Sequence, residues 1–143
     1  MASAERTEVL NCSLVQLKKA ILDYENYPQH ISGVNGAVII EDEGKTKRVQ
    51  FEINIIKKLH YTLYLHETEN GLHWELVEGD VFKKNTGSWE LTPAPGDKVE
   101  AKYTIDIDLK LMVPGMVAKK LAGSNLPSMM KQFEKWARTL SND

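Results

Sequence analysis

Apolar and polar residues alternate from residue 37 to residue 111, as they do in β-strands that bury one face. The alternation predicts six strands, at residues 37–42, 47–56, 59–68, 72–78, 87–92 and 99–111. Turn residues separate several of these strands, at Glu43-Gly44, Asn70-Gly71 and Pro95-Gly96. Because the connections are short, we expect the strands to form an antiparallel meander.

The hairpin at Asn70-Gly71 predicts which side chains share the buried face of this sheet. A two-residue turn there sets Leu65 opposite Leu76 and His66 opposite Glu75. The pair of histidine and glutamate then lies on the polar face. The apolar residues of the two strands lie together on the other face, and these are Tyr61, Leu63, Leu65, Leu72, Trp74 and Leu76.

The hairpin at Pro95-Gly96 is not expected to have a two-residue turn. A two-residue turn at this position would place Trp89 on the face away from Tyr103. Both residues are large and aromatic, and we assign both to the buried face. We therefore predict an odd-length loop or a bulge between Thr92 and Val99.

A short strand and two short helices are predicted before the meander. The strand covers residues 6–10. Ser13 and Gln16 then have the spacing of a capping box, and apolar residues at helical spacing follow, namely Leu14, Leu17, Ile21 and Leu22. Pro28 disfavours helical geometry at the residue before it, so we expect the second short helix to begin or bend near Pro28.

The last long stretch, residues 114–140, predicts a helix made of two offset halves. Its second half carries an apolar stripe, formed by Leu126, Met129, Met130, Phe133, Trp136, Ala137 and Leu140. Val117 and Leu121 form a separate stripe in the first half. Pro127 cannot donate to the carbonyl of Gly123, so we expect a kink between the halves. A helix of this length would lie across the whole sheet.

Composition narrows the range of functions. A chain of 143 residues with 27% charged residues and a net charge of −2 suits one domain, residues 1–143, and gives no electrostatic case for binding DNA. Cys12 is the single cysteine, which excludes an intramolecular disulfide and points to a reducing compartment. No apolar run approaches the ~18 residues of a transmembrane helix. We expect a soluble, cytoplasmic protein.

The apolar sheet face needs a cover, which the C-terminal helix and the two short helices can provide. A long helix held by a sheet often leaves a gap, and a gap here would be an apolar cavity. Its expected lining is Phe51, Ile53, Leu63, Leu65, Trp74, Trp89, Tyr103, Ile105, Met129 and Phe133. The same pattern is also satisfied by a packed core with no cavity, since stripes of this kind are usually core.

Catalytic and metal-binding patterns are scarce. His60, His66 and His73 fall at exposed strand positions or beside turns, whereas His30 could reach the cavity mouth. The carboxylates Asp106 and Asp108 lie on the polar face of a strand with no histidine or cysteine at ligand spacing, and Cys12 has no recognisable histidine partner. No phosphate-binding or serine-hydrolase motif is present. We therefore predict no catalytic residue, no metal and no cofactor.

Three segments carry a resemblance to a known family. They are Asp-Tyr-Glu-Asn-Tyr-Pro at residues 23–28, Gly-Asp-Val-Phe at 79–82 leading to Gly-Ser-Trp-Glu-Leu at 87–91, and Leu-Pro at 126–127. With the element order, they resemble the START-like (helix-grip, SRPBCC) superfamily, and within it the polyketide cyclase/dehydrase and coenzyme Q-binding branch. The resemblance implies an α+β fold with a curved seven-stranded antiparallel sheet around the C-terminal helix, and an apolar cavity between them.

This superfamily includes lipid and quinone carriers, aromatase/cyclases, plant hormone receptors and a bacterial protein that associates with ribosomal subunits, so the fold alone does not fix the function. We expect intracellular binding or transport of a hydrophobic small molecule, such as a lipid, quinone, isoprenoid or polycyclic compound. One alternative is a cyclase/dehydrase enzyme with His30 or Tyr103 as proton donor. Another is a ribosome-associated regulatory module whose contacts come from paired lysines at residues 57–58, 83–84 and 119–120.

Overall fold

The structure, a computed structural model, describes residues 2–54, 58–110, 115, 119 and 125–142. In this part of the chain, seven antiparallel strands form one sheet. The strands are β1 (Ala2–Leu10), β2 (Val34–Asp42), β3 (Thr46–Asn54), β4 (Lys58–Thr68), β5 (Gly71–Gly79), β6 (Phe82–Ala94) and β7 (Lys98–Leu109). The helices with bounds inside the described ranges are α1 (Leu14–Leu22), α2 (Tyr27–His30), which follows a 3₁₀ turn at Tyr24–Asn26, and α3 (Leu126–Ala137).

The sheet order is β1-β7-β6-β5-β4-β3-β2. The first strand therefore pairs with β7 and forms one edge of the sheet, while β2 forms the other edge. The two short helices are inserted between β1 and β2. We call the sheet face that carries the buried apolar residues and packs with α3 the inner face. This α+β architecture confirms the seven-stranded antiparallel sheet with a C-terminal helix that the sequence predicts.

The turn between β4 and β5 lies one residue earlier than predicted. Thr68 pairs with Gly71, and Leu65 pairs with Trp74 rather than with Leu76. Gly71 is needed within the strand, because a Cβ there would lie 2.0 Å from the Trp89 carbonyl oxygen on β6. The resulting register differs from the predicted one by two residues. Since side chains alternate with a period of two, the assignment of faces is unchanged.

The loop between β6 and β7 has the odd length that the sequence predicts. Pro95, Gly96 and Asp97 connect Ala94 to Lys98, which pair with each other. The backbone turns with φ values of 82° at Gly96 and 58° at Asp97. This loop brings the Trp89 and Tyr103 positions opposite each other on the inner face, and their rings lie in contact.

Helix α3 begins at Leu126, after Asn125 in the N-cap position. Pro127 therefore lies in the first turn, where its missing N–H costs no helical hydrogen bond, rather than within a helix interior as predicted. Val117 and Leu121, which form the stripe of the predicted first half, lie outside the described residues. The buried stripe of α3 is the predicted one in its main members, which are Leu126, Met130, Phe133, Trp136 and Ala137.

Helix α1 packs against α3 and holds it on the sheet. Ser13 caps α1 in both directions, since its side chain accepts from the Gln16 backbone N–H while the Gln16 side chain accepts from the Ser13 N–H. Glu134 on α3 accepts a 2.6 Å hydrogen bond from the backbone N–H of Asn11. These contacts fix the position of α3, and therefore of its inward-facing side chains, relative to β1 and α1.

Candidate functional site

A cavity of about 140 Å³ lies between the inner face of the sheet, the segment after α2, and α3. Its size is close to that of engineered cavities of ~150 Å³ that bind benzene. The described residues therefore leave room for about one ring. The lining is Tyr27, Ile31, Val34, Phe51, Tyr61, Leu63, Leu65, Leu72, Trp74, Asn85, Trp89, Tyr103, Ile105, Met129 and Phe133.

The structure places nine of the ten predicted lining residues on this wall, namely Phe51, Leu63, Leu65, Trp74, Trp89, Tyr103, Ile105, Met129 and Phe133. Ile53 is buried elsewhere, in a second apolar cluster with Leu59, Phe82 and Ile107. The prediction therefore placed Ile53 on the correct face but in the wrong cluster. A ligand-binding role for the nine residues remains a proposal.

The cavity wall also contains six residues that were not predicted from the sequence to line it. They are Tyr27, Ile31, Val34, Tyr61, Leu72 and Asn85. The strand alternation had already assigned Tyr61 and Leu72 to the inner face, so the signal for these two was present. Asn85 pairs in the same continuous register as Gly87 and Trp89, so alternation also places it on the inner face. It was missed because the predicted strand began at residue 87.

Aromatic contacts set the shape of the wall. The ring of Phe133 meets the rings of Tyr27 and Trp89 edge to face, with centroid distances of 5.4 and 5.3 Å. Trp89 also meets Tyr103 edge to face at 5.0 Å. Each of these pairs adds to the burial energy and limits ring rotation, so the cavity is held open by packed rings.

Within the cavity wall, the side chain of Trp74 contacts Asn85 and packs over Gly87. The indole Nε1–H of Trp74 donates to Asn85 Oδ1 at 3.1 Å. The indole lies so close to the backbone of β6 that a Cβ at Gly87 would lie 2.3 Å from Trp74 Cζ2 and 2.5 Å from the Thr104 carbonyl oxygen. The glycine of the Gly-Ser-Trp segment is therefore required for the tryptophan of the neighbouring strand to enter the cavity wall.

The polar groups that the described residues place on the wall are uncharged. Of the described residues that line the cavity, none is Asp, Glu, Lys, Arg or His. Burial raises the pKa of Tyr61 and of Tyr103 well above the usual value, and Tyr61 adds to the effect at Tyr103. Both hydroxyls therefore remain protonated at neutral pH. The hydroxyl of Tyr27 donates to the Ile21 carbonyl oxygen.

The structure places His30 at the surface and not on the cavity wall. Its ring is exposed and stacks on Trp136, with a centroid distance of 4.3 Å and an interplanar angle of 9°. Of the two proton donors considered for an enzyme, only Tyr103 thus lines the cavity.

The other titratable candidates lie away from the cavity. His66 pairs with His73 across the β4–β5 hairpin and reaches Glu75 diagonally at 3.3 Å, rather than facing it directly as predicted. Burial, with a smaller effect of Glu134, raises the pKa of Cys12 to about 11, so this residue is a thiol at neutral pH. Within the described ranges, no group of three His, Cys, Asp or Glu residues is placed to hold a metal ion.

Comparison with known proteins identifies the family. Residues 16–134 match the sequence model of the family described as polyketide cyclase / dehydrase and lipid transport. The chain belongs to this family. Its relatives include the persistence and stress-resistance toxin PasT of Escherichia coli strain CFT073, which is 27% identical over 130 residues, covering 87% of this chain and 82% of PasT. The ribosome association toxin RatA of E. coli K12 is 26% identical over the same coverage.

Solved structures show the same fold. A START superfamily protein from Mycobacterium smegmatis superimposes with a TM-score of 0.85 at 24% identity, covering 99% of this chain and all of that one. The START-like fold that the three sequence segments implied is therefore confirmed. In the described part of this polyketide cyclase/dehydrase family member, no helix is long and apolar enough to cross a membrane.

Proposed function

We propose that this chain binds and carries a hydrophobic small molecule, such as a lipid, quinone, isoprenoid or polycyclic compound, in the cavity between the sheet and α3. The observation that carries the proposal is an apolar cavity of about 140 Å³ walled by packed aromatic rings. The family description, which includes lipid transport, supports it. A cytoplasmic location and a single ligand-binding domain over residues 1–143 are part of the proposal, and the buried free thiol of Cys12 fits a reducing compartment.

The energetics favour binding by burial of apolar surface. Each Å² of apolar ligand surface removed from water contributes ~25 cal/mol, against which the loss of ligand freedom must be set. The rings of Phe51, Trp89 and Phe133 are already ordered by contacts with one another or with neighbouring rings. The entropy cost of ordering these side chains when a ligand binds is therefore small.

A charged substitution in the wall tests this proposal. Phe51→Glu should weaken binding of toluene, measured by ligand-observed NMR, by at least ~10-fold, because an unpaired carboxylate in an apolar site holds water and excludes hydrocarbon. Val38→Glu is the matched control, since Val38 is an exposed apolar residue of the same sheet. Circular dichroism establishes that each variant is folded. A folded Phe51→Glu protein that binds toluene as well as the wild type would refute the assigned site.

Native mass spectrometry of the protein purified from its own host would identify the molecule that it carries. An apolar compound released on denaturation would support the carrier role and name its ligand class. A polyketide product recovered in this way would instead favour the cyclase activity that the family description also covers.

Association with ribosomes is the second candidate function, and the similarity to RatA favours it. Lys58 and Lys83 are exposed and could contact RNA phosphates. If so, the chain should co-sediment with ribosomal subunits at low salt and dissociate as salt is raised. Lys58→Glu with Lys83→Glu should abolish co-sedimentation, whereas Lys45→Glu, at an exposed lysine in the β2–β3 turn, should have little effect. Salt-insensitive or absent co-sedimentation would exclude this function.

A further inference from the structure

We propose that the ligand is a neutral ring compound with a carbonyl-type oxygen, and that Asn85 Nδ2 donates a hydrogen bond to this oxygen beside the Tyr103 hydroxyl. The inference rests on the proposed binding function and specifies the chemistry of its ligand. It follows from three properties of the cavity, which are an unused amide donor, the lack of charge among the described wall residues, and the available volume.

The amide of Asn85 is oriented by its neighbour. Asn85 is only 4% exposed, and its Oδ1 accepts the hydrogen bond from Trp74 Nε1. Because the indole can only donate, this contact fixes which end of the amide carries the oxygen. The NH₂ end then has no hydrogen-bond partner among the residues that the structure describes. Nδ2 is not among the fully buried unpaired polar atoms of the described residues, so this donor is open to a ligand or a water that can satisfy it.

The remaining polar atoms on the wall also favour a ligand that accepts hydrogen bonds. The hydroxyls of Tyr61 and Tyr103 have no hydrogen-bond partner within the described part of the chain, and both residues line the same cavity as Asn85. Burial keeps these hydroxyls protonated, so each can donate. The carbonyl-type acceptor of Asn85 is already occupied by Trp74.

The absence of charge on the described part of the wall argues against an ionised ligand. A carboxylate in this cavity would be buried without a cationic partner, which costs far more than an amide or hydroxyl donor can return. A ketone or a similar neutral carbonyl has no such cost. The volume of about 140 Å³ then limits the buried part of the ligand to roughly one ring.

Two probes of the same shape separate this inference from simple apolar binding. Cyclohexanone and methylenecyclohexane differ only in replacing the carbonyl oxygen by a CH₂ group. We expect the wild-type protein to bind cyclohexanone about tenfold more tightly relative to each probe's partition into an alkane, the effect of one buried hydrogen bond. The side-chain amide signals of Asn85 in a ¹H–¹⁵N spectrum should shift with cyclohexanone and not with methylenecyclohexane. Cyclohexanecarboxylate should not bind.

A variant of Asn85 tests the donor itself. Asn85→Leu keeps a side chain of similar size but removes the NH₂ group, so the preference for cyclohexanone should disappear. Asn70→Leu, at an exposed turn position, should retain the preference. If Asn85→Leu does not fold, the two-probe comparison on the wild-type protein still decides.

The outcomes distinguish a failure of the carbonyl inference from a failure of the proposed binding function. Equal corrected affinity for both probes, with no change in the Asn85 amide signals, would overturn the carbonyl inference and leave the apolar-binding function standing. Binding of neither probe would overturn both. Preferential binding of cyclohexanecarboxylate would show that the ligand is ionised and would likewise refute the inference.

Discussion

Gly87→Ala should destabilise the protein by about 3 kcal/mol and close the cavity, because the added methyl group has no space. Its Cβ would lie 2.3 Å from the Trp74 indole and 2.5 Å from the Thr104 carbonyl oxygen. The indole could turn away only by losing its hydrogen bond to Asn85, and the Thr104 carbonyl belongs to the backbone of the adjacent strand. We expect a fall in melting temperature of about 10 °C and loss of toluene binding.

Gly36→Ala is the matched control for this prediction. Gly36 also lies in a strand, but a Cβ there would meet only Glu52 Cβ, at an ordinary distance of 3.5 Å. Its replacement should change the stability by no more than about 0.5 kcal/mol. If calorimetry shows equal effects for the two alanine variants, the cost at Gly87 is a general effect of replacing glycine, and the packing of Trp74 does not explain it.

The faces of the strands could be predicted from the sequence because alternation tolerates register errors of two residues. The predicted pairing of Leu65 with Leu76 was wrong, yet both residues stayed on the inner face. The β6–β7 loop shows the opposite case. A one-residue difference there would have moved Trp89 to the outer face, so the demand that Trp89 and Tyr103 face inward was enough to predict an odd-length loop.

The cavity itself depends on three-dimensional packing that a periodic pattern does not contain. Alternation assigns Ile53 and Phe51 to the same face, but only Phe51 reaches the cavity, because Ile53 packs with Phe82 in the second cluster. Tyr27 begins the four-residue helix α2, which is too short for a hydrophobic period to specify its orientation. Asn85 shares the alternation of Gly87 and Trp89, but the strand predicted from the sequence began at residue 87 and did not reach it. The polar residue on which the carbonyl inference rests was therefore missed because of a strand boundary.

Phe133→Ala should enlarge the cavity and lower the stability by about 3–5 kcal/mol, because Phe133 is 3% exposed and its ring meets those of Tyr27, Trp89 and Trp136. The space vacated by the ring would join the existing 140 Å³. A bicyclic ligand such as indole should then bind, although the wild-type cavity takes only about one ring. Since a ligand that binds only the folded state stabilises it, indole should restore part of the lost melting temperature.

Phe82→Ala is the comparison that makes this result specific. Phe82 is 4% exposed and has the same side chain, but it belongs to the second cluster and does not line the cavity. Its removal should cost a similar amount of stability, but the vacated space would open toward the polar surface groove that Phe82 borders and not into the apolar cavity. Indole should therefore stabilise the Phe133→Ala protein and not the Phe82→Ala protein. Equal stabilisation of both variants would mean that the space beside Phe133 is not continuous with a binding cavity, and the carrier proposal would lose its structural basis.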